Sequence, residues 1–540
     1  GKDSRDQFTG HLESMIYEPL LSWDAETDVF EPALATHWRM LDDQLTYEFR
    51  INPRARFSDG DEVTAHDVVA TFKLLMDEGH GDPNVSMYYN EKFNVPVAIS
   101  KYIVRIKAKN KEWRLIYTLS SLYIYPSKYL DKTTGEQFID KYQFEFMPGS
   151  GPYILDKDRT TNDGDPLIVL NRRDDYWAKD DIRNTGIWNF DVVEFLFILD
   201  ENQQIERFLK GDYDTYGVNR AQWWNQRFIG SEYPLIKRGL IQRKKFINNQ
   251  PMGLGGIAFN SLKPPFDDIR VREAFCHLWD VKTLQEKLFF NEYVRKNSYF
   301  ANSKYQNNNN PIQDYNPEYA VKLLNEAGWS VKPGDKWMTN SKGEILEIER
   351  FPIYDGGERI YSRFVSDLES VGIKMDLVVM QNTFEVAMNR KFELYSGGWV
   401  GSLLPNPEGA LHSKYSEELN SSNYTGIADD KIDELIEAYN EEWNPEKRVA
   451  LLQELDSVAT RGYYWIFGWD APYGYRSLNW DKFGMPDKGI SYSGGWLDPI
   501  IYWWIDPAKK EQINKALKNK NITIPIEPEI IDYWDNLKNF

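Results

Sequence analysis

Helix-like and strand-like hydrophobic patterns follow one another along this chain, and their order constrains the fold more than any single residue does. In FVSDLESVGIKMDLVVM, apolar residues recur at helical spacing as far as Gly372. Beyond it, apolar and polar residues alternate, with the apolar ones at Ile373, Met375, Leu377 and Val379. Such alternation is typical of a strand with one buried face. A helix that passes directly into a strand predicts an α/β second half.

Helix boundaries elsewhere in the chain are marked by residues that cap helices or stop them. These are the capping box of Thr64 and Asp67 with its stop at Gly79, the N-cap Asn316 with Pro317 and its stop at Gly328, and the break at Asn444–Pro445. The helix of DDIRVREAFCHLWD has one apolar side, formed by Val271, Ala274, Phe275 and Leu278.

The first part of the chain is predicted to be rich in β-structure. Short alternating segments lie between turn signals at residues 41–44 and 58–61, which predicts antiparallel strands. Strand patterns return at GPYIL, LIVLNR and VVEFLFIL, between about residues 153 and 197. The predicted order is therefore a β-rich start, a mixed middle and an α/β second half.

The composition excludes some classes of partner and leaves one question open. The formal net charge is −19, which makes binding to nucleic acid or to an anionic membrane surface unfavourable. Aromatic residues make up 15% of the chain, including 19 Trp and 33 Tyr. They indicate either large aromatic core layers or a cleft that stacks on ligands. A single cysteine, Cys276, excludes an intrachain disulfide.

Residues with catalytic potential do not form a recognisable catalytic pattern. No two of the six histidines lie within five residues of each other, so no local zinc signature exists. Cys276 and His277 are adjacent on a predicted helix and point about 100° apart, so they cannot pair as nucleophile and base. GLGGIA at residues 253–258 matches a relaxed dinucleotide fingerprint, but Pro264 and Pro265 follow where a helix is needed. We predict no metal site, no cofactor and no enzymatic activity.

Seven segments of the chain follow one another in the order YEPLLSWDAETDVFEPALATHW, LTYEFRI, RFSDGDEVTAHDVVATF, GSGPYIL, NRRDDYW, FNSLKPPFDDIRVREAF and YNPEYAVKLLNEAGW. In this order they resemble the oligopeptide/dipeptide/nickel-type extracytoplasmic solute-binding proteins (family 5) of ABC transporters. Four others, FFNEYVRKNSYFANS, GGWVGSLLPNPE, GIADDKIDELIE and WWID, are similar to the subgroup that imports oligopeptides and microcin C. The resemblance covers nearly the whole chain.

The resemblance implies a two-lobed α/β fold of the periplasmic-binding-protein type, in its large three-domain form with mixed sheets. Residues 1–21, 148–262 and 486–540 would form lobe I, residues 22–147 a β-rich extra domain packed on it, and residues 263–485 lobe II. The chain would cross between the lobes near residues 262 and 485, and the lobes would close on ligand by a hinge. Only 16 residues precede Tyr17, so we expect an earlier family strand, and any signal peptide or lipid-anchoring cysteine, to be missing.

The resemblance also implies a set of ligand-binding residues around SGGWVGSLLPNPEG. In the family this stretch lies at the cleft and its Trp contacts ligand, so we predict a site that includes Gly398, Trp399, Val400, Ser402, Asn219 and Trp496. Peptide-binding members usually have an aspartate three residues after the Trp, where it pairs with the peptide amino terminus. The residue here is Ser402, and Ser396 replaces an arginine found in some members. A hydroxyl lacks the charge-assisted bond to an ammonium.

The predicted function is capture of an oligopeptide or modified peptide and its delivery to an ABC importer. The alternative is an oligosaccharide-binding protein of the same fold, which the aromatic excess and the missing carboxylate both favour. A glycoside hydrolase is a third reading that no motif supports. The predicted partners are the ligand and a membrane permease, and we expect a monomer in the periplasm or another extracytoplasmic compartment.

Overall fold

The computed structural model describes residues 7–142, 145–229 and 233–537, which fall into two compact units. The first unit consists of Gly1–Gly217, Leu235–Lys244 and Ser477–Tyr533. The second consists of Val218–Pro234, Lys245–Arg476 and Trp534–Phe540. None of the described helices has both the length and the apolar run that a membrane span requires.

Helices are distributed over the whole described chain. As far as residue 237 they are α1 (Gln7–Ile16), α2 (Ala65–Met76), α3 (Pro83–Lys92), α4 (Leu115–Ser120), α5 (Ser127–Leu130), α6 (Gly135–Tyr142), α7 (Glu201–Lys210) and α8 (Pro234–Lys237). Beyond it they are α9 (Ile269–Cys276), α10 (Val281–Lys287), α11 (Pro317–Glu326), α12 (Glu358–Ser370), α13 (Thr383–Met388), α14 (Glu408–Leu411), α15 (Asp430–Glu441), α16 (Pro445–Arg461), α17 (Asp498–Tyr502), α18 (Pro507–Lys518) and α19 (Tyr533–Leu537). A π-helical turn covers Trp223–Arg227.

Strands are short and also occur throughout. The first eleven are β1 (Leu21–Asp24), β2 (Val29–Pro32), β3 (Ala35–Met40), β4 (Thr46–Ile51), β5 (Val97–Ser100), β6 (Ile103–Lys107), β7 (Tyr153–Leu155), β8 (Leu167–Arg172), β9 (Val192–Leu196), β10 (Thr215–Gly217) and β11 (Ile241–Phe246). The others are β12 (Leu254–Phe259), β13 (Val294–Arg295), β14 (Ser330–Val331), β15 (Met338–Thr339), β16 (Glu347–Ile353), β17 (Lys374–Val379), β18 (Leu394–Trp399), β19 (Trp465–Phe467), β20 (Trp469–Asp470), β21 (Tyr475–Trp480), β22 (Phe483–Gly484), β23 (Trp504–Ile505) and β24 (Ile530–Ile531).

The sheets are mixed in type, as the sequence predicts. Antiparallel sheets with the orders β3-β4-β6-β5 and β7-β8-β9 lie in the first unit, together with part of a sheet of order β10-β21-β11-β24. The second unit contains the antiparallel sheet β18-β12-β19 and the parallel pair β16-β17. Strands β7, β8 and β9 match the three predicted strand segments.

The predicted capping box begins α2. Thr64 accepts a hydrogen bond from a backbone N–H of the first turn, and the Asp67 carboxylate accepts one from the Thr64 N–H at 2.7 Å. The helix ends at Met76, so the predicted stop at Gly79 was wrong by three residues. The physical reason is Asp77, whose extended backbone ends the helix and whose carboxylate accepts a hydrogen bond from the Gly79 N–H. Gly79 then lies in a separate 3₁₀ turn.

The other predicted boundaries are confirmed. The side chain of Asn316 caps α11, with proline in its first turn, and Asn444 in the same way caps α16 after the break that follows α15. The turn at 41–44 closes with a bond from the Gln44 N–H to the Leu41 carbonyl, and the turn at 58–61 contains Gly60 at φ +89°.

The core of the second unit contains the predicted apolar face of α9. Val271, Ala274, Phe275 and Leu278 are all buried there, together with Cys276. After α12, the chain turns at Gly372, whose φ of +89° favours glycine, and enters β17. Burial then decreases along the predicted alternating residues, and Val379 at the end of β17 is 47% exposed. A helix leading into a parallel strand agrees with the predicted α/β second half.

A pH-dependent stability is expected from Glu18 in the first unit. Its carboxylate accepts hydrogen bonds from the Tyr176 hydroxyl (2.5 Å) and the Trp177 indole N–H (2.7 Å), while burial raises its pKa from 4.5 to about 7. Between these pH values the folded state keeps a proton that the unfolded state has lost. Stability from this group should therefore fall as the pH rises from 4.5 to about 7.

The measurement is the free energy of unfolding by urea across this pH range, for the wild type, Glu18→Gln and the control Glu26→Gln at an exposed glutamate. Glu18→Gln should flatten the pH dependence, and the control should not. If the free energy of unfolding of Glu18→Gln depends on pH as steeply as that of the wild type, the pH dependence does not come from Glu18.

Candidate ligand-binding site

The stretch with the predicted site begins at the end of β18, where glycines face glycines. Gly397 and Gly398 of β18 are paired with Gly256 and Gly255 of β12. A Cβ atom on Gly398 would lie 2.1 Å from the carbonyl oxygen of Leu254, and one on Gly256 would lie 2.0 Å from that of a residue in β19. No larger residue fits these two positions without backbone displacement. At the other two glycines a side chain lies close by, because a Cβ on Gly397 would be 2.3 Å from the ring of Tyr395 and one on Gly255 would be 3.0 Å from the ammonium of Lys296.

The close approach continues past the end of the strand. A Cβ on Gly401 would lie 2.0 Å from the Pro251 carbonyl oxygen, and one on Gly253 would lie 2.4 Å from the Trp399 carbonyl oxygen. The segments 251–253 and 399–401 thus pack backbone against backbone. This contact determines the path of the chain on both sides of Trp399.

Trp399 packs against aromatic side chains of the second unit on one side and remains partly exposed. Its ring is 5.8 Å from that of Trp465, edge to face, and 6.2 Å from that of Tyr299 at an interplanar angle of 35°. Tyr299 also contacts Phe467 edge to face at 5.7 Å. We call Tyr299, Trp399, Trp465 and Phe467 the aromatic wall. Trp399 therefore packs on the core and keeps part of its surface exposed, and its contact with a ligand stays a prediction.

A buried amide supports the strand that carries two members of the aromatic wall. The side-chain N–H of Gln313 donates to the Trp465 carbonyl oxygen, and its side-chain oxygen accepts from the Phe467 N–H, both at 2.8 Å. Gln313 thereby satisfies backbone groups on the edge of β19. Sequence reasoning missed Gln313 and Tyr299, because only the folded chain brings them to β18 and β19.

The residues after Trp399 are exposed and uncharged. Val400 is 78% exposed. Ser402 is also exposed, and its hydroxyl accepts a hydrogen bond from the Leu404 N–H at 3.1 Å. Ser396, the other departure from the family pattern, shares a short hydrogen bond with the hydroxyl of Tyr361. Neither serine brings a charge to this stretch.

A buried charge lies beside the glycine pairs. The ammonium nitrogen of Lys296 is 3.3 Å from a carboxylate oxygen of Asp470 and would be 3.0 Å from a Cβ on Gly255. Burial lowers the pKa of Lys296. Gly255 thus leaves room for a desolvated ammonium at this end of the sheet.

Asn219 is exposed, and its position is determined through its backbone. Its carbonyl oxygen accepts hydrogen bonds from the Tyr293 hydroxyl (3.1 Å) and from the guanidinium of Arg476 (3.2 Å). Arg476 is buried and pairs with Glu292 at 3.1 Å, which in turn pairs with Lys245 at 2.7 Å. Asn219 is therefore held firmly within the second unit.

Trp496 belongs to the first unit, in contrast to the other predicted site residues. It is 41% exposed, and its ring contacts those of His11 at 5.2 Å and Phe195 at 6.4 Å, both edge to face. Gly398, Trp399, Val400 and Ser402 are contiguous, while Asn219 lies elsewhere in the second unit. The assignment of all six residues to one ligand stays a prediction.

The edge of the sheet is the feature of this region most suited to binding. Strand β18 lies at the edge of its sheet, and the Gly468 N–H donates to the Gly255 carbonyl on the opposite side of β12. The backbone groups of successive residues in a strand point to alternate sides, and those of Gly255 point toward β19. The backbone N–H and C=O of Gly398, which lies opposite Gly255, therefore point away from β12. The backbone N–H and C=O of Ser396 also point away from β12. On this side β16 packs beside β18, and just before β18 the Glu393 N–H donates to the Arg350 carbonyl at 3.0 Å. An extended chain could therefore pair only with the end of β18, around Gly398.

Cys276 and His277, predicted not to pair, each contact a backbone carbonyl and not each other in the structure. Cys276 is fully buried, its thiol donates to the Trp465 carbonyl at 3.6 Å, and burial raises its pKa. The His277 ring contacts the Asp314 carbonyl instead of the thiol. GLGGIA forms most of β12 and not a phosphate-binding turn. In the described parts of the chain, no three His, Cys, Asp or Glu residues are grouped so that they could hold a metal ion.

Comparison with known sequences identifies a family match and related proteins. The family model "Bacterial extracellular solute-binding proteins, family 5 Middle" matches residues 29–422. The uncharacterized protein YejA of Escherichia coli K12 is 30% identical over 94% of this chain and 87% of its own length. The peptidoglycan-binding protein YepA of Agrobacterium fabrum C58 is 26% identical over 84% of this chain and 79% of its own length.

Solved structures confirm the predicted α/β fold of the periplasmic-binding-protein type. The oligopeptide-binding protein AppA of Bacillus subtilis, in complex with a nonapeptide, has a TM-score of 0.72 and 20% identity, covering 93% of this chain and 95% of that one. A periplasmic oligopeptide-binding protein of Thermotoga maritima, with bound mannohexaose, has a TM-score of 0.68 and 18% identity, covering 90% of this chain and 89% of that one.

Replacing Trp399 should weaken ligand binding more than it weakens the fold. Trp399→Ala removes a partly exposed ring, and a central aromatic anchor contributes roughly 2–4 kcal/mol to binding, or about 30- to 700-fold in affinity. The matched control is Trp465→Ala, since Trp465 is only 2% exposed and truncating a core Trp costs roughly 3–5 kcal/mol of stability.

Calorimetric titration and thermal unfolding of both variants separate the two roles. Trp399→Ala should lose affinity with a modest fall in melting temperature, and Trp465→Ala should lose mainly stability. A Trp399→Ala protein with intact affinity and a collapsed melting temperature would assign the residue to the core.

Proposed function

The chain belongs to the bacterial extracellular solute-binding proteins of family 5, and on that premise we propose that it captures an oligopeptide or modified peptide for delivery to an ABC importer. Proteins of this family bind solutes, and an oligopeptide or modified peptide is the solute that we propose for this chain. Membership of the subgroup that imports oligopeptides and microcin C is part of the same proposal.

The observation that carries the proposal is the outer edge of β18 at its end around Gly398, beyond the part of the strand that packs beside β16. Ser396 and Gly398 direct backbone groups away from β12, and Trp399 follows with a partly exposed ring. An extended peptide added to a sheet edge gains hydrogen bonds that do not depend on its sequence, while pockets for alternate side chains give specificity. Gly398 has no side chain that could block the approach of a ligand backbone, which suits ligands of varied sequence.

Two relatives support a peptide or a modified peptide. AppA of Bacillus subtilis was solved with a nonapeptide, and YepA of Agrobacterium fabrum is named for binding peptidoglycan, a polymer of sugars and peptides. A ligand with both components would use the backbone edge for its peptide and the ring of Trp399 for its sugar. We therefore include sugar-bearing peptides in the proposed ligand class.

The amino terminus of the ligand is not the proposed anchor. Ser402 and Ser396 are both neutral, and the nearest charge described around the glycine pairs is the ammonium of Lys296, with Asp470 beside it. A ligand ammonium at Ser402 would gain no ion pair. We expect peptides with a blocked amino terminus to bind as well as free ones.

An oligosaccharide is the second candidate, favoured by the partly exposed ring of Trp399. Sugars stack on aromatic faces and need no ion pair, and the Thermotoga maritima protein was solved with mannohexaose. The two candidates differ in the use of the β18 edge, because a sugar does not pair with a strand as a peptide backbone does.

The remaining parts of the proposal follow from the family. We propose a monomer in an extracytoplasmic compartment whose lobes, divided as the sequence predicts, close on the ligand by a hinge and present it to a membrane permease. Binding, without chemical conversion of the ligand, is the proposed activity.

A capture experiment separates the two ligand classes. The purified protein is mixed with a tryptic peptide digest in one sample and with a hydrolysed oligosaccharide mixture in another, and the bound species are identified by native mass spectrometry. A captured peptide is then synthesised with single N-methyl groups along its backbone. Methylation should reduce affinity at alternate positions, because only every second residue of a strand faces a given edge.

Capture of sugars alone would overturn the peptide proposal in favour of the second candidate. Capture of neither class would contradict both. If peptides are captured but their affinity does not alternate with the position of the N-methyl group, the β18 edge has no role in binding them.

Charge at position 402 is the second test. Ser402→Asp places a carboxylate where peptide-binding members of the family are expected to have one, and we expect weaker binding of an amino-terminally acetylated peptide, since such a peptide offers no ammonium to pair with the charge. Ser402→Asn, similar in size and neutral, is the matched control. Calorimetric titration with the free and acetylated forms of the captured peptide checks this, and tighter binding of the free form to Ser402→Asp alone would show that an ammonium reaches this position.

A further inference from the structure

The segment at residues 298–310, which carries Tyr299, folds around one buried carboxylate. Asp456, on α16, is fully buried. It accepts hydrogen bonds from the Ser298 hydroxyl (2.8 Å) and the Tyr299 N–H (2.8 Å) at the start of the segment. It also accepts them from the Asn307 N–H (2.9 Å) and the Asn310 side-chain amide (2.7 Å) at its end. The carboxylate of Asp456 is thus hydrogen-bonded to both ends of the segment 298–310.

Two contacts lead from this segment to Trp399. The first is direct, because the ring of Tyr299 lies beside that of Trp399 at 6.2 Å. The second passes through the middle of the segment, where the Ala301 carbonyl accepts from the Met252 N–H at 3.0 Å and the Asn302 amide donates to the Gln250 carbonyl at 2.9 Å.

Residues 250–252 lead directly into the backbone contact on which the position of Trp399 depends. A Cβ on Gly253 would lie 2.4 Å from the Trp399 carbonyl oxygen, and one on Gly401 would lie 2.0 Å from the Pro251 carbonyl oxygen. A shift of residues 250–252 would therefore move the backbone on both sides of Trp399. At these two glycines the segments meet through backbone atoms, which cannot change rotamer to absorb the movement.

We propose that Asp456 is a positioning residue for the ligand-binding surface, which holds the segment 298–310 so that Trp399 keeps its orientation toward the ligand. Asp456 is fully buried and acts through Tyr299 and residues 250–252 without contacting the ligand. The inference rests on the proposed function only in so far as Trp399 contacts a ligand. The effect on the orientation of Trp399 is independent of it.

A carboxylate is the side chain that fits this place, since every group that faces it is a donor. Asp456→Asn would bring an N–H₂ group among these donors and leave a buried donor unsatisfied, which costs stability as well as position. The matched control is Asp367→Asn. Asp367 is also buried in the second unit, but it accepts from the Asp280 N–H and the Tyr315 hydroxyl and pairs with Arg363, and none of these partners belongs to the segment 298–310.

The first measurement needs no ligand. The protein is labelled with fluorotryptophan, and the ¹⁹F resonance of Trp399 is assigned as the one missing from Trp399→Phe. Asp456→Asn should shift or broaden this resonance, and Asp367→Asn should leave it in place although both variants lose stability. An unchanged Trp399 resonance in Asp456→Asn would overturn the proposal. This result is independent of whether the protein binds peptides.

The second measurement is a double-mutant cycle with the synthetic peptide chosen in the capture experiment. Asp456→Asn should lower affinity about tenfold in the wild-type background and much less in the Trp399→Ala background, because coupled residues are not additive. Equal losses in both backgrounds would overturn the proposal. Should Asp456→Asn fail to fold, Ser298→Ala is used instead, because it removes a single hydrogen bond to the same carboxylate. Ser298→Ala should give smaller changes in the Trp399 resonance and in affinity. The absence of both changes would count against the proposal.

Discussion

The close approach of backbones at the glycines of β12 and β18 is the constraint on which the rest of the candidate site depends. At Gly256, Gly398 and Gly401 a Cβ would lie about 2 Å from a neighbouring carbonyl oxygen. Glycine is the residue that allows backbones to approach this closely. The same contacts determine the course of the chain before and after Trp399.

Around this backbone surface, buried polar groups hold the aromatic wall in place. Gln313 satisfies backbone groups of β19, and Asp456 gathers four donors from the segment that carries Tyr299. A buried polar group without partners is costly, so each of these side chains favours one arrangement of the segments around it. The partly exposed ring of Trp399 therefore packs against residues whose positions are fixed by buried hydrogen bonds.

The chemistry of this surface differs from that expected of a receptor for free peptides. Ser402 and Ser396 are neutral, and the buried charge near the glycine pairs is an ammonium, Lys296, beside Asp470. An edge strand and an aromatic ring bind through backbone pairing and stacking, which tolerate a range of ligand sequences. The proposed ligands, peptides whose amino terminus is modified or not recognised, are compatible with this local chemistry.

Local signals in the sequence determined much of the fold, as Thr64 and Asp67 at α2, Asn316 at α11 and the buried face of α9 illustrate, because capping and periodicity act over a few residues. The stop at Gly79 was misplaced because Asp77 accepts hydrogen bonds from both Gly79 and the distant Gly135. The order of motifs identified the family and drew attention to Trp399. Only the tertiary structure decided that Tyr299 packs beside Trp399, that Gln313 binds the backbone of β19 and that Asp456 binds the segment of Tyr299. These contacts join residues about 100 to 160 positions apart.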